Sequence, residues 1–129
     1  MSSSADLHIY AAWIGILGGF VCGAVIGLFF HEEQWLGGYG SYRRRMLRLG
    51  HVSFFGLGFV NFAYGATLKL LDLRLAYPQA ASAALLIGAA TMPACCFLAA
   101  WQKPLRHLFP IPVLSLLLGV MLLLSGWKT

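Results

Sequence analysis

The sequence predicts an all-α integral membrane protein, a four-helix bundle that forms one domain over residues 1–129. The chain is 60% hydrophobic and only 10% charged, and a soluble domain of this size cannot bury so much apolar surface. The apolar residues also fall into four blocks, each near the roughly 20 residues that a helix needs to cross a bilayer. The predicted spans are residues 9–30, 51–71, 80–101 and 111–127.

The first span carries small residues at every fourth position, a spacing typical of a helix that another helix approaches closely. Ala11 opens the series, and four glycines continue it: Gly15, Gly19, Gly23 and Gly27. Each step of four residues overshoots a helical turn by roughly 40°, so the series forms one slowly winding groove. Helices in lipid associate through such close packing. We interpret this groove as a glycine zipper that span two, span three or a second copy of the chain fills.

The other spans carry their own helical signals. Ser41 is a suitable N-cap for a helix that begins before span two. Within that span His51, Gly58 and Gly65 recur every seven residues and mark one face. Prolines stand where the third and fourth helices are expected to start, at positions that tolerate them: Pro78 and Pro112.

Basic residues predict the orientation of the bundle. Six of the nine Lys and Arg residues lie in the connections after spans one and three: Arg43, Arg44, Arg45, Arg48, Lys103 and Arg106. The remaining three are Lys69, Arg74 and Lys128. The positive-inside rule places both connections in the cytoplasm and both termini outside, and we expect a bacterial inner membrane. The net charge of +5 is then a topology signal that meets anionic lipid headgroups, and nucleic-acid binding is not expected.

Three histidines are expected near the cytoplasmic face. His31 closes span one, His51 opens span two, and His107 lies in the second cytoplasmic connection. Antiparallel packing of spans one and two is expected to bring His31 and His51 to similar depth. A haem b between helices needs two imidazole ligands on opposite faces of the ring. We therefore predict His51 and His31 as its axial ligands with His107 in reserve, and Arg44 and Arg48 as partners of the propionates.

Two other interpretations of the same residues remain open. Imidazole and carboxylate ligands suit Zn, Fe or Mn, and a divalent metal would draw its ligands from His31, Glu32, Glu33, His51 and His107. Alternatively, histidines at a membrane boundary are ordinary interfacial residues. The fourth histidine, His8, stands alone at the outer end of span one and has no part in either site.

Residues 50–65 resemble a haem-ligand helix of subunit I of the haem-copper oxidases, particularly cbb3-like forms and their short relatives. The stretch reads Gly-His-Val-Ser-Phe-Phe-Gly-Leu-Gly-Phe-Val-Asn-Phe-Ala-Tyr-Gly. In that family a histidine near the helix start is followed by Gly-Phe and then by a small residue with Tyr. The resemblance covers one helix and implies haem b ligation at His51. The chain departs from that family in having no His-His pair for copper and no histidine in spans three and four. An oxygen-reducing centre is therefore not expected.

We expect a small membrane subunit of the respiratory, electron-transfer type that holds one haem b near the cytoplasmic face. The alternative comes from another class: a non-catalytic interaction or assembly subunit that packs on a larger membrane complex through its glycine groove. No Ser-His-Asp, zinc-protease or phosphate-loop pattern supports independent catalysis. The expected partners are membrane lipid and either further copies of the chain or other membrane subunits.

Overall fold

The computed structural model of the chain describes residues 3–127, so Lys128, which was counted for the orientation, lies outside the described part. The prediction of an all-helical fold is confirmed, and no strand occurs within residues 3–127. The four α-helices are α1 (Ser4–Phe29), α2 (Tyr42–Leu70), α3 (Pro78–Trp101) and α4 (Pro110–Ser125). Short 3₁₀ helices lie in the first connection (Trp35–Gly37) and in the third (Lys103–Leu108).

Side-chain caps start the first two helices. The Ser3 hydroxyl accepts a hydrogen bond from the Asp6 backbone N–H at 3.2 Å, and the Asp6 carboxylate accepts one from the Ser3 N–H at 3.2 Å. This reciprocal pair is a capping box. Ser41 caps α2 as predicted, since its hydroxyl accepts from the Arg44 N–H at 3.2 Å. Proline stands in the first turn of α3 and of α4, where its missing N–H costs no hydrogen bond.

The helices pack in the order of the chain. α1 lies antiparallel on α2, α2 on α3, and α3 on α4, whereas α1 and α3 touch only slightly and α4 packs essentially on α3. α2 and α3 are therefore the inner helices of a row, and α1 and α4 form its edges. We call the end where α1 begins and α4 ends the terminal end. The opposite end, where α1 leads into α2 and α3 into α4, is the connection end.

Three helical segments are long and apolar enough to cross a membrane, as in an integral membrane protein: Ser4–Phe29, Pro78–Trp101 and Lys103–Ser125. The outward surfaces of α1 and α4 carry large exposed apolar side chains, including Trp13, Leu17, Phe20, Leu114, Met121 and Leu124. α2 is not among the three segments. It begins with arginines and contains four glycines, and both lower its mean hydropathy. The fourth predicted span, residues 51–71, stays a prediction.

α2 occupies most of the glycine groove of α1. Three glycines face α2 so closely that no side chain would fit without a shift: Gly15 faces Phe54, Gly19 faces Phe55 and Gly23 faces His51. A Cβ on these glycines would lie 3.3, 2.7 and 2.6 Å from the nearest atom, respectively. Gly27 has no such neighbour within 4 Å. Along the glycine series, the close approach of α2 therefore ends at Gly23.

Glycines of α2 face α1 in return. A Cβ on Gly58 would lie 3.2 Å from the carbonyl oxygen of Ala12, and one on Gly65 would lie 2.7 Å from that of Ala5. At both positions the nearest atom belongs to the backbone of α1. This backbone cannot move aside as a flexible side chain can. The predicted heptad of α2 is thus its face toward α1, with His51 at the connection end and Gly65 at the terminal end.

The packing of α3 against α4 combines a small-residue contact with a hydrogen bond. Leu116 lies over Gly88 and Leu85 lies over Gly119. The Ser115 hydroxyl donates to the carbonyl oxygen of Ala84 at 2.6 Å, which links the two helices. These contacts attach α4 to the row through α3.

Candidate functional site

His51 lies in the α1–α2 interface near the connection end. Its ring packs against Gly23, with the Phe55 ring edge-on at a centroid distance of 5.4 Å. The ring nitrogen Nδ1 is buried and has no hydrogen-bond partner. Leaving a buried polar group unpaired costs about 1–3 kcal/mol. Within residues 3–127, only the Tyr64 hydroxyl shares this condition.

The structure does not bring the other predicted ligands to His51. His31 follows the end of α1 with its side chain 75% exposed, and its Nε2 lies 3.4 Å from a carboxylate oxygen of Glu32. Gly23, which is level with His51, comes about two helical turns before His31, so the expected match in depth is absent. His107 lies exposed in the second 3₁₀ helix.

The metal site considered from the sequence is likewise not assembled. Among residues 3–127, no group of three or more His, Cys, Asp or Glu side chains is placed to hold a metal ion. Glu32 and Glu33 are both exposed in the connection after α1, whereas His51 is half-buried in the α1–α2 interface.

The side chain of Arg44 binds the backbone of the connection between α1 and α2. Its side chain is only 3% exposed. The guanidinium donates to the carbonyl oxygen of Trp35 at 2.6 Å and to that of Glu32, and it lies 5.3 Å from the centre of the Trp35 ring. Arg48 donates to the Tyr39 carbonyl at 2.9 Å and stacks on the Tyr39 ring at 4.2 Å. Of the two predicted propionate partners, only Arg48 retains an accessible guanidinium.

Replacing Arg44 by alanine is expected to loosen this connection. The carbonyls of Glu32 and Trp35 lose a charged donor, and hydrogen bonds to charged groups contribute about 1.5–3 kcal/mol. We expect amide hydrogen exchange over residues 35–41 to become at least about tenfold faster. Arg45→Ala is the matched control, because Arg45 is the exposed neighbour on the same helix. Equal exchange in the two variants would contradict the role of Arg44.

A second buried polar site lies at the terminal end, and sequence reasoning missed it. His8 is fully buried. Its Nδ1 lies 2.6 Å from Oδ1 of Asn61, and its Nε2 lies 2.8 Å from the hydroxyl of Ser82. The Tyr64 ring meets the imidazole edge-on with a centroid distance of 4.4 Å. We call these four residues, from α1, α2 and α3, the His8 cluster.

The sequence did contain a signal for this cluster. His8 falls on the same face of α1 as Ala12 and Gly15, at spacings of four and seven. Asn61 lies between Gly58 and Gly65 on the small-residue face of α2, at spacings of three and four. Residues three, four or seven apart share one side of a helix. Because His8 and Asn61 each share a helix face with glycines of the α1–α2 contact, the sequence pattern predicts both side chains in that interface.

An apolar cleft adjoins the His8 cluster. Because α1 and α3 scarcely touch, a space of about 280 Å³ remains between them over α2. Small residues line it from both sides, Ala11 and Gly15 on α1 and Ala89 and Ala90 on α3. Asn61 is its one strongly polar lining residue. One member of the cluster, Asn61, therefore also lines the cleft.

These features define a class: an all-helical protein of four helices, of which three are suited to cross a membrane, with a buried polar cluster and an orphaned histidine. Comparison of the chain with protein-family models, with curated proteins and with solved structures finds no match.

Proposed function

We propose that the chain is a small integral membrane subunit of the electron-transfer type that holds one haem b through His51. The unpartnered ring nitrogen of His51 in an apolar interface carries this proposal. A group that binds imidazole from outside the chain would complete the bonding of this side chain, and haem iron is such a group. The resemblance of residues 50–65 to a haem-ligand helix supports the same assignment.

The surrounding residues would orient the ligand rather than react. Gly23 and Phe55 confine the His51 ring, so little rotamer freedom is lost when a nitrogen binds. The Arg48 guanidinium would pair with a propionate. Arg44 would keep its hydrogen bonds to the carbonyl oxygens of Trp35 and Glu32. The haem would supply one-electron redox chemistry. His31 lies about two turns away and His107 is exposed in the second 3₁₀ helix, so a second ligand to the haem would come from a partner subunit.

The proposed setting is a bacterial inner membrane with both termini outside. α2 is packed on both sides by helices that are able to cross a membrane, so we take it to cross as well. Six basic residues lie at the connection end, which the positive-inside rule assigns to the cytoplasm. His51 is then near the cytoplasmic face.

An oxidised-minus-reduced visible spectrum tests the haem proposal. The protein is expressed with a haem precursor and purified in mild detergent. We expect a sharp reduced α-band that His51→Ala abolishes and His31→Ala retains, since only His51 is held in the interface. A colourless wild-type protein without iron would overturn the proposal, and so would a band that survives His51→Ala unchanged.

The second candidate is a non-catalytic interaction or assembly subunit. The apolar edges of the row favour it, since only 11% of the spanning stretch of α1 and of the Lys103–Ser125 segment is buried, against 44% for α3. α2 already occupies Gly15, Gly19 and Gly23, so docking would use the outward faces of α1 and α4 and not the glycine groove. A colourless protein that migrates in a larger membrane complex in native gels would favour this function.

A further inference from the structure

We propose that the His8 cluster is a proton-binding site inside the membrane-spanning region, which takes up a proton while the helices stay packed. This inference is independent of the haem proposal. An ionisable side chain within a membrane segment is expensive and is commonly functional. His8 is fully buried in such a segment, and both of its ring nitrogens meet a polar partner.

The hydrogen bonds of the His8 ring define which of its nitrogens carries the proton in the neutral state. The Asn61 side-chain N–H donates to the Leu57 carbonyl at 2.9 Å, which turns its oxygen toward His8. An amide oxygen can only accept, so His8 Nδ1 carries the proton and donates to it. His8 Nε2 is then the acceptor, and the Ser82 hydroxyl donates to it.

The same partners also suit the charged state. In an imidazolium both ring nitrogens donate. Asn61 still accepts at Nδ1, and the Ser82 hydroxyl rotates and accepts at Nε2 without moving its oxygen. One geometry thus serves His8 with and without the added proton.

The charges around the cluster nearly balance. On α1 the nearest is Asp6, which pairs with Lys69 of α2. On α2 the titratable group that contacts His8 is Tyr64, whereas the arginines and His51 of that helix lie toward the connection end. α3 carries no charged residue along its described length. His8 lies in the second turn of α1, beyond the first turn where the positive end of a helix acts most strongly. No neighbouring cation therefore opposes the added proton without a matching anion.

The His8 cluster lies close to the terminal end of the protein. His8 and Ser82 are each the fifth residue of their helices, which places them roughly 6 Å from the helix starts. An open cup of about 540 Å³ lies at this end, and Ser3, Asp72 and Arg74 are among its lining residues. Ala5 also lines it, and the Ala5 carbonyl packs on Gly65 beside His8.

Nitrogen-15 NMR of histidine-labelled full-length protein in lipid nanodiscs tests the proposal. From about pH 8 to about pH 4, we expect the His8 signals to change from the Nδ1-protonated neutral form to the imidazolium, with the helical circular dichroism unchanged. Loss of one signal set in His8→Gln assigns the resonance. A His8 that stays neutral over this whole range would overturn the proposal, as would protonation that coincides with loss of helix.

Two further variants locate the proton within the cluster. Ser82→Ala removes the acceptor at Nε2, and the charged form loses the stronger hydrogen bond, so we expect proton binding by His8 to weaken about tenfold. Ser82→Thr retains the hydroxyl and is expected to bind the proton as the wild type does. Unchanged binding in Ser82→Ala would exclude Ser82 from the site. The histidine signal that differs between Ser82→Ala and Ser82→Thr also assigns His8, so the test stands even where His8→Gln fails to fold.

Discussion

Replacing Gly65 by alanine is expected to destabilise the protein by about 1–3 kcal/mol, the usual cost of forcing an extra group into a packed interface. The new Cβ would lie 2.7 Å from the carbonyl oxygen of Ala5 and 2.9 Å from the Ile9 side chain. Since the nearer atom belongs to backbone, α1 and α2 must separate to admit the methyl group. Reversible unfolding in mixed micelles, followed by circular dichroism, measures the loss.

Gly56→Ala is the matched control for this prediction. Gly56 lies on the same helix but is exposed, and a Cβ there would meet no neighbouring atom within 4 Å. Alanine favours a helix over glycine by about 0.5–1 kcal/mol, so this variant is expected to be neutral or slightly more stable. If Gly65→Ala were as stable as Gly56→Ala, α1 and α2 would not be in backbone contact at the terminal end.

Asn61→Ala is expected to lower the free energy of unfolding by about 2 kcal/mol, because it leaves a buried donor unpaired. His8 Nδ1 loses its acceptor, while Ser82 still engages Nε2. The position is 2% exposed, so water does not readily replace the lost amide. The same unfolding assay applies, with helix content before unfolding as the check on the folded state.

Ser53→Ala distinguishes an interhelical effect from a local one. The Ser53 hydroxyl donates to the Gly50 carbonyl of its own helix at 2.7 Å, so it links α2 to no other element. A surface-like change of this kind is expected to stay within about 0.5 kcal/mol. Equal losses from Asn61→Ala and Ser53→Ala would mean that the His8 cluster does not hold the three helices together.

Much of the fold follows from local signals. The length and apolarity of the blocks predict the helices, and Ser41 predicts where α2 begins, because capping depends only on nearby atoms. The glycine series predicts a close approach but not its occupant. Which helix fills the groove depends on the turn made by residues 30–41, where Arg44 binds the carbonyls of Glu32 and Trp35. That long-range contact leaves no periodicity in the sequence.

The depth of His51 shows why the predicted ligand pair was misplaced. The prediction took the depth of each histidine from the edge of its apolar block, and this places His31 and His51 at the same level. In the structure the arginine-rich first turns of α2 pack beside the last turns of α1, where Ile26 lies near Leu47. This overlap carries His51 back to Gly23. Hydropathy does not detect it, because a polar helical turn packed on a neighbour resembles a loop.

The chain-order packing of the row bears on how the protein is made. α2, α3 and α4 each pack on the helix synthesised just before them, so tertiary contacts can form while the chain is still emerging from the ribosome, without long-range rearrangement. The bond between His8 and Ser82 is the exception, since it spans 74 positions. This hydrogen bond can form only after α3 has been synthesised and has packed on α2. Its formation therefore completes the unit of α1, α2 and α3.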